Sequence, residues 1–354
     1  MESNLKIHNN FKFQGKSFSD HNLLIDEVES VSKESAEFLK EWFNNKLFVK
    51  VNTSGSTGIP KEIKLKKRQM LNSANATASF LQLKENTTAL LCLSSSFIAG
   101  KMMWVRALTL GWHLDVVSVD SNPLALNSKS YDFTAMVPMQ VSNSIDQLFR
   151  VKKIIIGGGV VSENLQNKLQ SISAKAYATY GMTETITHIA IKKLNKFNED
   201  NMDSFEVLPS VSIESDSRGC LVIDAPLIAD EKIITNDLVT IISNNRFKWL
   251  GRYDSIINSG GVKLIPEEIE KKISNIITER FFVASLPDTK LGEKLILVVE
   301  GDKNRITSKI DILAFIGSTE LTTYEIPKEI HFVSKFSMTE TGKIMRSSTM
   351  NKIF

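Results

Sequence analysis

The stretch Ile154-Ile-Ile-Gly-Gly-Gly-Val-Val-Ser162-Glu-Asn-Leu165-Gln-Asn-Lys-Leu169 decides the fold class. Three consecutive β-branched residues followed by glycines suit a strand buried on both faces. Ser162 is placed to cap a helix, and Glu163 stands beside the positive end of its dipole. Leu165, Leu169 and Ile172 then recur at helical spacing. The pattern predicts strand, glycine turn, helix. Short apolar runs at 90–93, 116–119, 133–137 and 176–180 repeat the strand signal, with amphipathic patterns between them. That alternation predicts an α/β sheet.

The texture changes after Gly251. Pro266 sits where a helix's first turn favours it, followed by Glu267 and Glu268. Ile269, Ile273 and Ile276 supply the helix's apolar stripe, and strands are predicted at 281–284, 295–299 and 330–333, with a helix near 310–316. The 354 residues favour more than one domain. The chain therefore divides into a large α/β domain, residues 1–252, and a small α+β domain, residues 253–354.

With 42% apolar and 23% charged residues, the chain lies far from the signature of disorder. Its 43 basic and 40 acidic side chains leave a net charge of +3, too slight to suggest a nucleic-acid partner. Cys92 lies in an apolar run and reads as a buried free thiol, and the five histidines form no metal-binding spacing. The first residues, MESNLKIHNNFKF, lack a signal peptide's apolar core, and no window has a membrane span's length and apolarity. A cytoplasmic protein without membrane insertion is expected. Oligomeric state is not legible.

Five segments carry chemistry. Thr53, Ser54, Gly55, Ser56, Thr57 and Gly58 lead through Ile59 and Pro60 to Lys61. Glycines let backbone N–H groups face an anion, and hydroxyls and a lysine add donors, which suits a polyphosphate. Pro60 and Glu62 break the Walker pattern. A polar surface turn is the plainer reading. Tyr180-Gly181-Met-Thr183-Glu184 ends a strand with a carboxylate that can hold Mg²⁺, or simply starts a helix. Gly157, Gly158 and Gly159 follow a strand, but Ser162 stands where a dinucleotide fingerprint needs its third glycine. Gly251-Arg252-Tyr-Asp254 runs on through Asn258-Ser-Gly260-Gly261-Val-Lys263 at the proposed boundary. Thr339-Glu-Thr-Gly-Lys343-Ile-Met-Arg346 closes the series, and reads alone as a chain end.

In this order, the segments resemble the adenylate-forming superfamily of acyl-CoA synthetases, luciferases and peptide-synthetase adenylation domains, from Val51 onward. The resemblance implies ATP-dependent activation of a carboxylic acid as an acyl-adenylate, followed by transfer to the thiol of CoA. It implies that the hydroxyl–glycine loop from Thr53 to Lys61 cradles the outer phosphates. Gly157, Gly158 and Gly159 would border adenine and the acyl group, with Tyr180 and Gly181 in the same nucleotide site. Thr183 would meet the α-phosphate, Glu184 would hold Mg²⁺, and Asp237 and Arg252 would take the ribose. Asp254 would be the hinge, Gly260, Gly261 and Lys263 would border the path of CoA, and Lys343 would be the adenylation lysine. Asn236, Ser255 and Glu62 depart from the family's usual residues. The phosphate loop begins at Thr53, which implies a truncated first subdomain.

The segment from Ser94 through Phe97-Ile-Ala-Gly-Lys101-Met-Met-Trp-Val-Arg106 resembles the short o-succinylbenzoate–CoA ligases of menaquinone synthesis. That substrate carries a second, non-reacting carboxylate, which needs a cation or donors. Lys101, Arg106 and His188 are the candidates. Another acid–CoA ligase, a carrier-loading adenylation enzyme and a non-catalytic AMP-binding regulator stay open. Glu184 and Lys343 speak against the regulator, since binding alone needs neither.

Overall fold

The computed structural model describes residues 5–52, 62–196, 203–274, 277, 279–301, 321–339 and 343–354. Among them, a 13-stranded sheet runs in the order Ser212–Ser215, Cys220–Asp224, Ile233–Ser243, Arg246–Arg252, Phe205–Val207, His188–Lys193, Lys175–Gly181, Val151–Ile156, Tyr131–Met136, Thr88–Leu91, His113–Val116, Lys12–Phe13 and Lys16–Ser17. From Lys175–Gly181 through Lys12–Phe13 the neighbouring strands are parallel. From Lys175–Gly181 the other way, every pairing is antiparallel. The α/β class is as the sequence predicts.

The parallel half explains the apolar runs. Ala89 and Leu91 enter one core with Met70, Ala74 and Trp104, while Leu90 and Cys92 enter the opposite core with Val141, Leu165 and Leu169. Ile155 and its neighbours Ile154 and Ile156 divide in the same way. Successive side chains point to opposite faces, so a strand covered on both sides must be apolar throughout. The helix Ile98–Leu110 is buried continuously from Gly100 to Leu108, as befits a helix without a polar face.

The carboxyl ends of the parallel strands lead to Ser94–Ser95, Val137–Pro138, Gly157 and Gly181. In open α/β sheets the crevice beyond these ends is where ligands bind.

Past Arg252 the strands belong to another sheet. Ile257–Ser259 and Val262–Leu264 form a hairpin, joined by Gly292–Glu300, Phe281–Asp288 and Glu329–Val333. The helix Pro266–Ile273 buries Ile269 and Ile273 against this sheet.

Several predicted elements shift. The strand predicted at 116–119 is His113–Val116, because its partner Thr88–Leu91 ends where Leu91 pairs with Val116. The run at 90–93 likewise begins at Thr88 and stops at Leu91. Ser162 caps its helix by accepting from the Leu165 amide at 3.2 Å, but the helix closes at Leu169, leaving Ile172 beyond it. The strand predicted at 281–284 extends to Asp288, paired all along with Gly292–Glu300. The helix near 310–316 and Ile276 lie outside the described residues.

Candidate active site

The loop after Lys175–Gly181 is held by contact and strain. Gly181 lies against the next strand so closely that a Cβ there would stand 2.1 Å from the Thr187 carbonyl oxygen and 2.5 Å from His188 Cα. Any larger residue would part the two strands. Thr183–Thr185 make a single tight turn, and Ile186 follows at φ 66°, ψ −61°. With the Thr187 amide donating to the Thr185 carbonyl at 2.7 Å, Ile186 is the centre of a γ-turn of the strained kind. A β-branched residue at positive φ costs on the order of 1–3 kcal/mol. The fully buried Ile186 side chain offsets that cost. The Thr185 hydroxyl accepts from the Met182 amide at 2.9 Å and stands 2.6 Å from the Thr187 carbonyl. Glu184 is exposed just past the carboxyl end of its strand, with Thr183 half-buried beside it.

Opposite this loop lies Asp237, buried at 7% exposure. Tyr180 donates its phenol to Oδ2 at 2.6 Å, and Trp249 donates its indole N–H to Oδ1 at 3.1 Å. Burial, then the neighbouring Asp237, raises the Tyr180 pKa above the ordinary phenol value, so it stays a donor. Arg252 stands 3.6 Å from Asp237 Oδ1 and forks onto Asp254 with two bonds of 3.0 Å. That fork raises the pKa of Arg252 and lowers that of Asp254. The Asp237 amide donates to the Thr235 hydroxyl at 3.0 Å. Arg218 braces the same strand through the Thr235 carbonyl and Asn236 Oδ1, with its guanidinium 5.2 Å from the Tyr253 ring centroid. Sequence reasoning missed Trp249 and Arg218.

Gly157 continues its strand, its amide donating to the Met136 carbonyl at 3.1 Å, and Gly158 and Gly159 are exposed beyond it. Thr179, one residue before Tyr180, donates to the Ile156 carbonyl at 3.2 Å. The glycine turn and the Tyr180 loop are therefore neighbours.

Behind the Tyr180 loop is a buried polar group. Arg106 is 2% exposed. Its Nη2 is 3.5 Å from the Thr187 hydroxyl, and its Nε has no hydrogen-bond partner among the described residues. No described carboxylate comes within ion-pair distance of it, and burial lowers its pKa to about 10. His188 contacts the Thr77 hydroxyl at 3.2 Å, and burial, then Arg106, holds it far below the usual imidazole range. Ser73 completes the group through Thr187 at 3.1 Å. Lys101 faces elsewhere: its ammonium lies 4.9 Å from the Phe38 ring centroid. Burial lowers its pKa, partly opposed by Glu41, Glu34 and Glu37. Arg106 and His188 thus come together, and Lys101 does not join them.

Gly260 and Gly261, at φ 59° and 82°, make the two-residue turn of the hairpin that carries the exposed Lys263. Positive φ at both centres is the type I′ signature. Lys343 is exposed, and its backbone pairs with Thr339 through two bonds, 2.9 and 3.0 Å. The loop residues Thr53, Ser54, Gly55, Ser56, Thr57, Gly58 and Lys61 lie outside the described residues. Among those described, no cluster of three or more His, Cys, Asp and Glu is placed to hold a metal. One exposed carboxylate, Glu184, fits Mg²⁺ well enough, since that ion keeps most of its water and takes its other ligands from phosphate.

The family model of the AMP-binding enzymes matches residues 13–213, more than half of the chain. The chain belongs to the AMP-binding enzyme family. Within this family it is an ATP-dependent acid–CoA ligase. The chain is 27% identical over 333 residues to 2-succinylbenzoate–CoA ligase of Lactococcus lactis, covering 88% of this chain and 72% of that one. A solved acyl-CoA synthetase (AMP-forming)/AMP-acid ligase II-like protein from Dyadobacter fermentans is 38% identical. It covers 91% of this chain and 94% of its own, with a TM-score of 0.59. The o-succinylbenzoate–CoA synthetase of Bacillus subtilis, solved with ATP and magnesium ion, shares the fold at a TM-score of 0.73. It is 17% identical, covering 94% of this chain and 82% of its own. Among the described residues, no helix of this AMP-binding enzyme is long and apolar enough to cross a membrane.

Proposed function

We propose that this enzyme is an o-succinylbenzoate–CoA ligase, using ATP, Mg²⁺ and CoA. The observation that carries the substrate is Arg106, a buried cation with no carboxylate partner among the described residues. An uncompensated buried charge is costly, and an incoming anion relieves it. The spectator carboxylate of o-succinylbenzoate is such an anion, with the Thr187 and Ser73 hydroxyls and neutral His188 as further polar partners. The L. lactis relative carries the same activity in its name.

In the first step, a carboxylate oxygen of the acid attacks the α-phosphorus of ATP, and the bond to pyrophosphate breaks. Asp237, held by Tyr180 and Trp249, accepts from the ribose hydroxyls, with Arg252 beside it. Thr183 donates to the α-phosphate, and the loop from Thr53 to Lys61 holds the outer phosphates. Glu184 holds Mg²⁺, which supplies Lewis-acid and template chemistry at the phosphates. Lys343 neutralises charge growing on the α-phosphoryl oxygens. In the second step, the CoA thiolate attacks the acyl carbon and AMP leaves. Residues 253–354 act as a lid, turning at Asp254 so that Lys343 withdraws and the Gly260–Gly261 turn with Lys263 borders the thiol's path.

The test is pyrophosphate release with ATP and Mg²⁺ over a panel of acids. We expect o-succinylbenzoate to exceed benzoate, acetate and long-chain fatty acids. We expect Arg106→Met to lose that preference while leaving turnover of benzoate near its starting level. A wild-type preference for a monocarboxylic acid would overturn the substrate and leave the family intact.

A further inference from the structure

Arg346 opens the helix Arg346–Met350 three residues after Lys343. Its Nη2 donates to Glu270 Oε2 at 2.9 Å, and its Nη1 lies 3.5 Å from Glu267 Oε1. Nη1 also reaches the Val283 carbonyl at 3.4 Å, and the guanidinium stands 5.7 Å from the Phe282 ring centroid. Glu270 Oε1 accepts from the Val283 amide at 2.8 Å. Glu267 Oε2 is buried without a hydrogen-bond partner among the described residues. It lies over Gly251, where a Cβ would come within 2.5 Å of it. Three pieces of chain meet at this cluster: the Lys343 segment, the helix Pro266–Ile273, and the strand end beside Asp254.

The cluster is expensive. Two half-buried carboxylates share one guanidinium, and one carboxylate oxygen has no hydrogen-bond partner among the described residues. Apolar residues of the same volume would hold these elements together at less cost. Apolar contacts are already present, because Met338, Ile344 and Met350 pack against Phe282 and Phe336. The hairpin around Lys343 also closes on itself, through the Met338–Ile344 bridge and the Met345 amide donating to the Ser337 carbonyl at 2.8 Å. None of those contacts sets the hairpin's angle against the helix Pro266–Ile273. The Arg346 fork does, because a planar guanidinium bonded at fixed angles transmits orientation as well as attraction.

We infer that Glu267 and Glu270, acting through Arg346, are positioning residues that set where Lys343 reaches in the adenylation step. The inference rests on the role of Lys343 given above. Lysine has a long, flexible stem, so its ammonium is only as well placed as the backbone that carries it. A misplacement of about 1 Å is enough to cost on the order of a hundredfold in a step that depends on geometry. Once the adenylate has formed, the lysine is no longer needed, and the network matters little.

The test compares both half-reactions in the full chain. The probe acid is o-succinylbenzoate, or the panel acid of greatest turnover. Adenylation is followed as pyrophosphate release, and thioester formation is started from synthetic acyl-adenylate and CoA. Arg346→Met is expected to lower kcat of adenylation by about tenfold or more, with KM for ATP within about threefold. Thioester formation should stay within about twofold, which also shows that the variant is folded. Arg346→Lys should recover part of the loss. Glu270→Gln should add little on top of Arg346→Met, because both act through one network. Equal loss in both half-reactions, or a rise in KM for ATP with kcat kept, would overturn the inference. Lys343→Ala separates the failures. If it loses adenylation while Arg346→Met does not, the positioning claim alone falls. If Lys343→Ala keeps adenylation, the lysine's role falls and takes this inference with it.

Discussion

Tyr180 donates its phenol to Asp237 across 2.6 Å, although three strands separate theirs in the sheet order. The antiparallel half must therefore curl over the end of the parallel half, and the aromatic cluster of Tyr180, Phe205 and Phe247 fills the bend. That curl brings Asp237 to the end of the strand that leads to Glu184. Tyr180 fixes one oxygen of Asp237 and Trp249 fixes the other, so both carboxylate oxygens are held in place.

Tyr180→Phe removes one of those donors and keeps the ring contacts. We predict that KM for ATP rises by about tenfold, the scale of one hydrogen bond to a charged group, with kcat changed by less than about threefold. Steady-state kinetics with varied ATP check this. An unchanged KM would mean that Asp237 keeps its orientation without the phenol.

Arg106→Met exchanges a buried cation, without a carboxylate partner among the described residues, for an apolar side chain. We predict a gain in stability of about 1–4 kcal/mol, seen as a higher denaturant midpoint, together with loss of o-succinylbenzoate turnover. A variant both less stable and inactive would show that Arg106 is part of the core's support.

Much of the parallel half is legible because its strands are buried on both faces. Ile154, Ile155 and Ile156 announce themselves by composition alone. The antiparallel half is quieter: in Ile233–Ser243 and Arg246–Arg252, polar residues such as Thr240 and Lys248 alternate with apolar ones. Asp237 and Arg252 are legible through motif order, whereas Trp249 is not, because its value lies in an indole N–H aimed at a carboxylate. Lys101 and Arg106 share the helix Ile98–Leu110, and only folding shows that they face different neighbours. Arg346 stands in a quoted motif and Glu270 does not; they are 76 residues apart, and nothing local pairs them.

Glu270 carries a pH signature. Burial, opposed by Arg346, raises its pKa from 4.5 to about 7. A carboxylate raised on folding adds stability below its unfolded pKa, and that contribution is lost as pH rises through the folded one. We predict that wild type loses stability relative to Glu270→Gln between 4.5 and about 7. Urea midpoints measured across that range check the slope, and parallel curves would contradict it.

The thiols should be silent in the folded protein. Cys92 is fully buried and its thiol is pushed up to about 12, and burial raises Cys220 as well. Alkylation needs the thiolate. We predict negligible labelling of either cysteine by iodoacetamide near about pH 8, and rapid labelling of both after denaturation. Fast labelling of the native chain would contradict the burial of these two side chains.

The most direct measurement of the central claim is the product balance of one turnover. The purified protein is mixed with ATP, Mg²⁺, CoA and o-succinylbenzoate, and AMP, pyrophosphate and CoA thioester are each quantified. The account predicts that the three appear in equal amounts, and that without CoA a single equivalent of pyrophosphate is released as the adenylate stays bound. AMP binding with no pyrophosphate released for any acid would contradict it, and would make the chain a nucleotide-binding protein without ligase chemistry.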